Sequence, residues 1–310
     1  MYEPGQKAIV AWNGQEEILI LSTDVTSSQE TLVLELLPLP SKPEVEAASF
    51  QSFEEIQRLI LEEGVSQVYR SSKGEDLAGS VEVVFHEEIG AHDITVVRAT
   101  DAVELVDWID NFLQANGVNE TVSLGKLEPV VKDYMGRGFR YYVLDLITVT
   151  PDERSVDPIL YRFSSSFLYY PLAITSPVPG ESEIILFLLT EGKVDKDYQP
   201  MQKASYQVPG KNPKPVELLL SRGELSKIDL RIGELFEDKA WLTVLNYDGK
   251  LSWLTMDLMV AEEALNPATT VNVELTLPST MIALCILLGA ACTLAGVVCT
   301  LLVTRYKRGS

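Results

Sequence analysis

The sequence predicts an α+β fold: a β-rich extramembrane domain with two or three amphipathic helices, plus one C-terminal transmembrane helix. Three observations predict it. Runs of β-branched and aromatic residues separated by Pro and Gly dominate the second half of the chain. Capped segments of helical periodicity lie in the first half. Residues 281–304 form an apolar run without a single charge.

The chain opens with a predicted hairpin. Residues 7–12 and 16–22 are apolar-rich runs separated by Asn13-Gly14, the residue pair that best suits a two-residue hairpin turn. A third strand is predicted over residues 31–37. It ends at Pro38, because a proline has no N–H to donate within a central strand.

Three helices follow in the sequence. A capping-box pattern begins at Ser52 and predicts a helix over residues 53–63. Asp101 caps a second helix that ends at Asn116-Gly117, and residues 126–135 form a third, shorter helix. The apolar residues of the second helix share one face, which predicts that it packs against a core.

The remaining ordered segments are predicted strands, separated by turn residues. A short helix is expected near residues 233–238, and Asn246-Tyr247-Asp248-Gly249 is predicted as a hairpin turn. The predicted strands cover residues 81–88, 92–99, 139–149, 159–163, 168–175, 183–190, 241–245 and 251–260.

The domain organisation is predicted from the same turn and loop residues that separate the elements. Its parts are an acidic N-terminal α+β subdomain (1–150), a β-rich subdomain (151–260), a stalk (261–280), a transmembrane helix (281–304) and a basic cytoplasmic tail (305–310).

The C-terminal run predicts membrane attachment and an orientation. As a helix it would measure about 36 Å, against about 30 Å of hydrocarbon. Arg305, Lys307 and Arg308 follow it directly and predict a cytoplasmic C-terminus, with the bulk of the chain extracytoplasmic in a single-pass cell-membrane protein. No signal-peptide pattern is visible near Met1, which leaves a tail-anchored cytosolic adaptor as an alternative.

Small residues recur along the predicted span at steps of four and three. This seam predicts self-association as a homodimer, or docking on another membrane protein, because small residues let helix backbones approach closely in lipid. The alternative is that the pattern arises by chance. The seam consists of Cys285, Gly289, Cys292, Gly296 and Cys299.

Charge and cysteine content exclude several classes of function. The chain has 25 basic and 45 acidic residues, a net charge of −20, so it lacks the basic surface that nucleic acid requires. Residues 1–280 contain no cysteine. That part of the chain therefore has no disulfide, no thiolate nucleophile and no cysteine metal site.

His86, Glu88 and His92 are the candidate metal ligands. The two histidines are six positions apart, which does not match the four-residue spacing of a zincin helix. If Gly90 marks a hairpin turn, the imidazoles could instead face each other across two strands, with Glu88 as a third ligand. A solvated polar hairpin is the favoured alternative, and no cofactor is predicted.

Other catalytic patterns are missing. The sequence has no Gly-x-Ser-x-Gly elbow, P-loop or dinucleotide fingerprint. Five tyrosines could line a ligand groove, but a role in the core is favoured because strand residues alternate between faces. They are Tyr141, Tyr142, Tyr161, Tyr169 and Tyr170.

Several segments read together resemble an uncharacterised group of bacterial and archaeal membrane-anchored or secreted proteins, a domain of unknown function. The resemblance implies a β-rich ectodomain with a C-terminal anchor and no established activity. One departure is Gly90-Ala91-His92-Asp93, where the group tends to show Gly-Pro-Tyr-Asp. The similar segments are residues 5–14, 37–45, 97–102 with Trp108, 169–172, 241–243 and 256–258.

The sequence therefore predicts a single-pass membrane-anchored surface protein whose acidic ectodomain is a binding or structural module. No catalytic or cofactor-binding residue is predicted, and the lipid bilayer is the expected partner. One alternative is a cell-envelope hydrolase using carboxylates or a weak His/Glu metal site. The other is the tail-anchored cytosolic adaptor.

Overall fold

The computed structural model describes residues 2–26, 31–62, 82–89, 92–116, 118, 124–149, 157–206 and 212–267. Its strands are β1 Tyr2–Trp12, β2 Glu16–Thr26, β3 Thr31–Leu39, β4 Glu44–Ala47, β5 Glu82–Ile89, β6 His92–Arg98, β7 Tyr141–Val149, β8 Ile159–Ser164, β9 Leu168–Tyr170, β10 Glu181–Thr190, β11 Gly192–Val194, β12 Gln202–Lys203, β13 Ser205–Tyr206, β14 Lys214–Pro215, β15 Glu217–Ser221, β16 Lys239–Lys250, β17 Leu258–Val260 and β18 Leu265–Pro267.

Five α-helices and four short 3₁₀ turns lie within the described residues. The helices are α1 Phe50–Glu62, α2 Ala102–Ala115, α3 Leu127–Gly136, α4 Arg222–Ile228 and α5 Leu230–Leu235. The 3₁₀ turns are Leu124–Lys126, Ala173–Thr175, Leu251–Trp253 and Glu262–Ala264.

A large sheet forms the centre of the unit. Its strand order is β12-β16-β10-β1-β2-β8-β4, with β15 also paired to β16. Only the β1–β10 pair is parallel, and the other pairs in this sheet are antiparallel. Strands from both sides of the boundary predicted at residue 150 therefore share one sheet, since β1 and β2 pair with β10 and β8.

A smaller sheet has the order β3-β7-β6-β5 and is antiparallel throughout. Pro38 lies in β3, which is an edge strand of this sheet. An edge position tolerates proline because the missing N–H has no neighbouring strand to bond.

The two faces of the large sheet pack against different partners. Alternate residues of β1 show this: Ile9 and Ala11 join an apolar cluster with α1, α4 and α5, whereas Val10 and Trp12 join the cluster that contains α2, α3 and the small sheet. Strand alternation thus separates a helix-covered side from a side covered by the small sheet. Phe53 of α1 meets Phe187 of β10 edge to face, with ring centroids 6.3 Å apart.

The predicted fold class is wrong in its membrane-spanning helix. Among the described residues, no helix is long and apolar enough to cross a bilayer. The longest of them, α2, has 14 residues, whereas a span needs about 20. Residues 281–304 lie outside the described part, as do the seam residues within them. The class is corrected to a β-rich α+β unit with five α-helices in its described part.

Local predictions are also wrong in several places: β3 continues through Pro38 to Leu39, and the strand predicted over 251–260 is limited to Leu258–Val260. The predicted turn at residues 246–249 lies inside β16, because β10 continues to pair with it as far as Lys250. The helix predicted from residue 53 begins at Phe50, where Ser49 Oγ accepts the N–H of Gln51 at 3.2 Å. Ser52, the expected cap, is buried within the helix.

Candidate functional site

The candidate metal ligands are not brought together by the structure. In the β5–β6 ladder His86 lies opposite Thr95, whereas His92 lies opposite Ile89. The two imidazoles are therefore on opposite faces of the sheet, because opposing residues share a face and successive residues alternate. His86 Nδ1 lies 3.1 Å from Thr95 Oγ1, and Glu88 is exposed. The prediction that the imidazoles face each other is wrong, because the register of the β5–β6 pair places the two histidines on opposite faces of the sheet.

His92 instead joins a buried polar cluster between the two sheets. Its Nδ1 lies 2.5 Å from Asp145 Oδ2, and its Nε2 lies 2.7 Å from the carbonyl oxygen of Asp157. His92 is 3% exposed and Asp145 is 2% exposed. Glu35 is the cross-strand neighbour of Asp145 in the β3–β7 ladder, so both carboxyl groups lie on the face that carries His92.

A small cavity of about 10 Å³ adjoins this cluster. We call it the inter-sheet cavity, and its volume corresponds to roughly one water molecule. Three polar atoms in its wall, Ser22 Oγ, Thr23 Oγ1 and Asp145 Oδ1, are buried without a hydrogen-bond partner. The wall consists of Leu21, Ser22, Thr23, Glu35, His92, Asp145, Asp157, Ile159 and Tyr161.

The cluster is not arranged for hydrolysis. A catalytic histidine needs one ring nitrogen directed at the nucleophile or leaving group, whereas both nitrogens of His92 contact protein acceptors. The carboxyl groups of Glu35 and Asp145 face a cavity of about 10 Å³, which has no room for a sugar or a peptide. In the part of the chain that the structure describes, no three His, Cys, Asp or Glu side chains form a group suited to a metal ion.

The pKa values of the groups in this cluster are nevertheless shifted. Burial lowers the pKa of His92, but the charge of Asp145, its hydrogen bond, Glu35 and the Asp157 carbonyl outweigh burial and raise the pKa above 6.5. Burial raises the pKa of Asp145, although the charge and the hydrogen bond of His92 act in the opposite direction. Burial, together with Asp145 and Glu35, raises the pKa of the Tyr161 hydroxyl well above 10. The His92–Asp145 pair therefore retains its shared proton to higher pH than a free histidine.

A second buried network surrounds Asp257. Its carboxylate accepts from Tyr134 Oη at 2.6 Å, from Arg137 Nη1 at 2.8 Å and from the N–H of Ala173 at 2.9 Å. The Arg137 guanidinium also lies over the Tyr134 ring, 4.3 Å from its centroid. Burial and the charge of Asp257 raise the pKa of the Tyr134 hydroxyl. This network connects α3 with two loops and is fully satisfied, which marks it as structural.

The candidate tyrosines lie mostly in the core. Tyr142, Tyr161, Tyr169 and Tyr170 are at most 2% exposed, and Tyr141 is half-buried. The Tyr169 hydroxyl donates to the carbonyl of Pro38 at 3.0 Å. The favoured interpretation of these residues as core is therefore confirmed.

An open groove of about 490 Å³ lies at another part of the surface. One wall is the turn 176–180, and the other is the end of β16 with Ser252. Leu251 N–H donates to the Gly180 carbonyl at 3.1 Å and joins the two walls. We call it the lysine groove, and its lining residues are Lys126, Ser176, Pro177, Val178, Pro179, Gly180, Glu181, Lys250 and Ser252.

Exposed apolar side chains accompany the lysine groove. Val178 in its wall is 46% exposed, and Trp253 and Met256, which follow Ser252 in the chain, are 62% and 65% exposed. Lys250 Nζ lies 5.8 Å from the centroid of the Trp253 ring. Sequence reasoning missed this site, although the Pro-x-Pro turn at 177–179 and the Ser252-Trp253 pair that follows Lys250 by two residues were visible signals.

The topology residues Arg305, Lys307 and Arg308 and the seam of residues 285–299 lie outside the described part of the chain. The self-association and orientation predicted from them stay predictions.

The fold and these sites define a β-rich α+β unit with two buried polar networks and one open surface groove. The family described as "Uncharacterized protein conserved in bacteria (DUF2330)" matches residues 3–211. The chain belongs to this family, which confirms the resemblance to a domain of unknown function. No curated protein matches the chain.

Two solved structures are similar to this chain. One is the crystal structure of baculovirus P35, at 11% identity and a TM-score of 0.47, covering 84% of this chain and 96% of that chain. The other is a mutated baculovirus P35 after caspase cleavage, at 12% identity and a TM-score of 0.44, covering 83% of this chain and 99% of that chain.

Proposed function

We propose that the described unit is a non-catalytic binding module whose lysine groove holds an acidic peptide segment of a partner protein. The observation that carries the proposal is the open groove itself, which places two lysines beside exposed apolar side chains. Such a surface can accept carboxylates and an apolar side chain from one extended segment.

Charge complementarity favours an acidic occupant. Lys126 and Lys250 line the groove against one acid, Glu181, on a chain whose net charge is −20. The two lysines attract carboxylates locally, whereas the negative charge elsewhere on the surface repels them, so an acidic segment is directed to the groove.

The apolar wall favours a peptide over a purely anionic polymer. Val178 and the neighbouring Trp253 remain substantially exposed, and aromatic anchors are typical of protein-binding surfaces. Removing their apolar area from water would stabilise the complex by about 25 cal/mol per Å² buried. An anionic polysaccharide lacks the side chain that would cover them.

The extracytoplasmic location and the bilayer as partner stay predictions from the sequence. Protease treatment of intact cells tests the location: digestion of the described unit supports it, and protection until lysis contradicts it. The binding proposal does not depend on that outcome.

The binding test uses the full chain and two pools of fluorescein-labelled dodecapeptides. In one pool Glu alternates with aliphatic or aromatic residues, and in the other Lys replaces every Glu. We expect the acidic pool to bind about tenfold more tightly by fluorescence anisotropy, with binding weakened by added salt. Equal affinity for both pools contradicts the proposal.

Variants localise the binding. Lys126→Glu combined with Lys250→Glu should reduce affinity for the acidic pool about tenfold, and Trp253→Ala should also reduce it. Lys214→Glu and Lys196→Glu change the net charge equally but lie outside the groove, so they should retain binding. If both pairs of variants lose affinity equally, binding reflects overall charge and the groove is not the site. Binding of dextran sulfate instead of peptide would also overturn the proposal.

A further inference from the structure

His92 connects three segments that are distant in sequence. It is the first residue of β6, its Nδ1 contacts Asp145 in β7, and its Nε2 contacts the carbonyl of Asp157 just before β8. β6 and β7 belong to the small sheet, whereas β8 belongs to the large sheet. One buried imidazole therefore ties the β5–β6 hairpin to the large sheet.

The contacts require a proton. The Asp157 carbonyl can only accept, so Nε2 must donate. Nδ1 and Asp145 Oδ2, at 2.5 Å, then need one further proton between them, whichever atom carries it. Without that proton, the neutral imidazole has one N–H for two acceptors, so it must give up the hydrogen bond to the Asp157 carbonyl or the one to Asp145. The link is complete only while the pair holds this proton.

The surroundings make loss of the proton costly. Asp145 Oδ1 already lacks a hydrogen-bond partner, so the buried carboxylate needs the one remaining N–H on Nδ1. Nε2 would then face the Asp157 carbonyl as a second acceptor, and that contact would be lost. The other titratable groups that face the pair are Glu35 on β3, Tyr161 on β8 and the carboxyl group of Asp157. Retention of the proton to higher pH agrees with the raised pKa of His92.

A crevice of about 260 Å³ shares walls with the tied segments. Ile89, the cross-strand neighbour of His92, forms one side, and 157–159 and 47–51 form the others. The width of this crevice therefore depends on the distance between Ile89 and Asp157, which the contacts of His92 fix. Release of His92 would let the end of the hairpin move away from Asp157.

We propose that His92 and Asp145 form a proton-operated clamp that holds the β5–β6 hairpin against the 157–159 segment and releases it as the pH rises, opening the crevice. The clamp is independent of the lysine groove and of what that groove binds. Its contribution to stability is fully present below pH 6.5, the unfolded value of histidine, and is lost as the pH rises through the higher folded pKa of the pair.

The chain contains only two histidines, which makes the test direct. Histidine NMR titration of the full chain is performed in EDTA, with His92→Gln and His86→Gln used to assign the signals. We expect the His92 signal to titrate above pH 6.5. Titration at or below 6.5 overturns the clamp, and this readout needs only the wild-type protein.

Hydrogen exchange then tests the opening. After correction for intrinsic rates, exchange of the β6 amides should rise about tenfold for each pH unit between 6.5 and the folded pKa of the pair. His86→Gln should keep this pH dependence and His92→Gln should abolish it. The same pH dependence in wild type and His92→Gln would contradict the proposal.

Discussion

The two faces of the large sheet differ in what they bury. The face toward α1, α4 and α5 is covered mainly by apolar residues, such as Ile56, Phe187 and Phe236, with a few buried polar side chains such as Gln57 of α1 among them. The side of the small sheet combines an apolar core with buried ionic groups, among them Glu17 and Asp145. The helix-covered side therefore owes most of its stability to apolar contacts, which do not depend on pH. The stability of the other side depends on particular polar partners and on their protonation.

Phe236→Ala tests the helix-covered side and should have the largest effect. Phe236 is 1% exposed within the apolar cluster, so truncation should cost about 3–5 kcal/mol of unfolding free energy, equally at pH 6 and pH 9. Urea denaturation measures this loss. Leu230→Ala in α5, at a position 71% exposed, is the control and should change stability by less than about 0.5 kcal/mol. A strongly pH-dependent loss for Phe236→Ala would contradict the claim that apolar contacts, which do not depend on pH, stabilise this side.

Asp257→Ala tests the partner dependence of the other side. It removes the acceptor of Tyr134, Arg137 and the Ala173 N–H, and should cost about 3 kcal/mol because buried donors are left unpaired.

The control for Asp257→Ala uses the same arginine. Asp133 also pairs with Arg137, at 2.9 Å, but its side chain is 67% exposed, so Asp133→Ala should cost less than about 1 kcal/mol. Equal losses in the two variants, measured by urea denaturation, would show that burial does not set the strength of this network.

Glu17→Gln should have the smallest effect and the opposite sign. Burial raises the pKa of Glu17 well above 4.5, against the hydrogen bond from the Tyr169 N–H, and its Oε1 is buried without a partner. The wild-type chain therefore loses stability as the pH rises above 4.5, because only the unfolded state ionises freely. Glutamine should stabilise the fold by about 1–2 kcal/mol at pH 8 and by nothing below pH 4.

Thermal unfolding across pH measures this gain. Glu16→Gln is the matched control, because Glu16 is the preceding residue but its side chain is 34% exposed and pairs with Arg162. That variant should show no gain at pH 8. A Glu17→Gln variant that is no more stable than wild type at pH 8 would contradict the interpretation that Glu17 is buried at a cost.

Local signals in the sequence predicted much of the fold. Asn13-Gly14 joins β1 to β2, with Gly14 at φ +91°, the left-handed region that glycine adopts most readily. Asp101 caps α2 as predicted, since its carboxylate accepts from the N–H groups of Val103 and Glu104. Both features depend on residues within a few positions of each other.

Predictions that depended on distant neighbours were wrong or missing. The turn signal at 246–249 was overridden because β10 offers a continuous ladder to β16. One local signal was also missed: the capping box of Ser221 and Glu224 at α4, which was visible in the sequence. Nothing near Asp145 in the sequence marks it as the partner of a histidine 53 positions away.

Sequence information alone was enough to predict the strand-rich composition, the first hairpin, the cap of α2 and membership in an uncharacterised bacterial family. These follow from backbone preferences and apolar periodicity, which act over a few residues. The polar groups that are buried together could be identified only from the three-dimensional fold. They are His92 with Asp145, and Tyr134 with Asp257, the second pair being 123 positions apart in the sequence. The free energy of a buried charge depends on its neighbours in space, and strand register selects those neighbours.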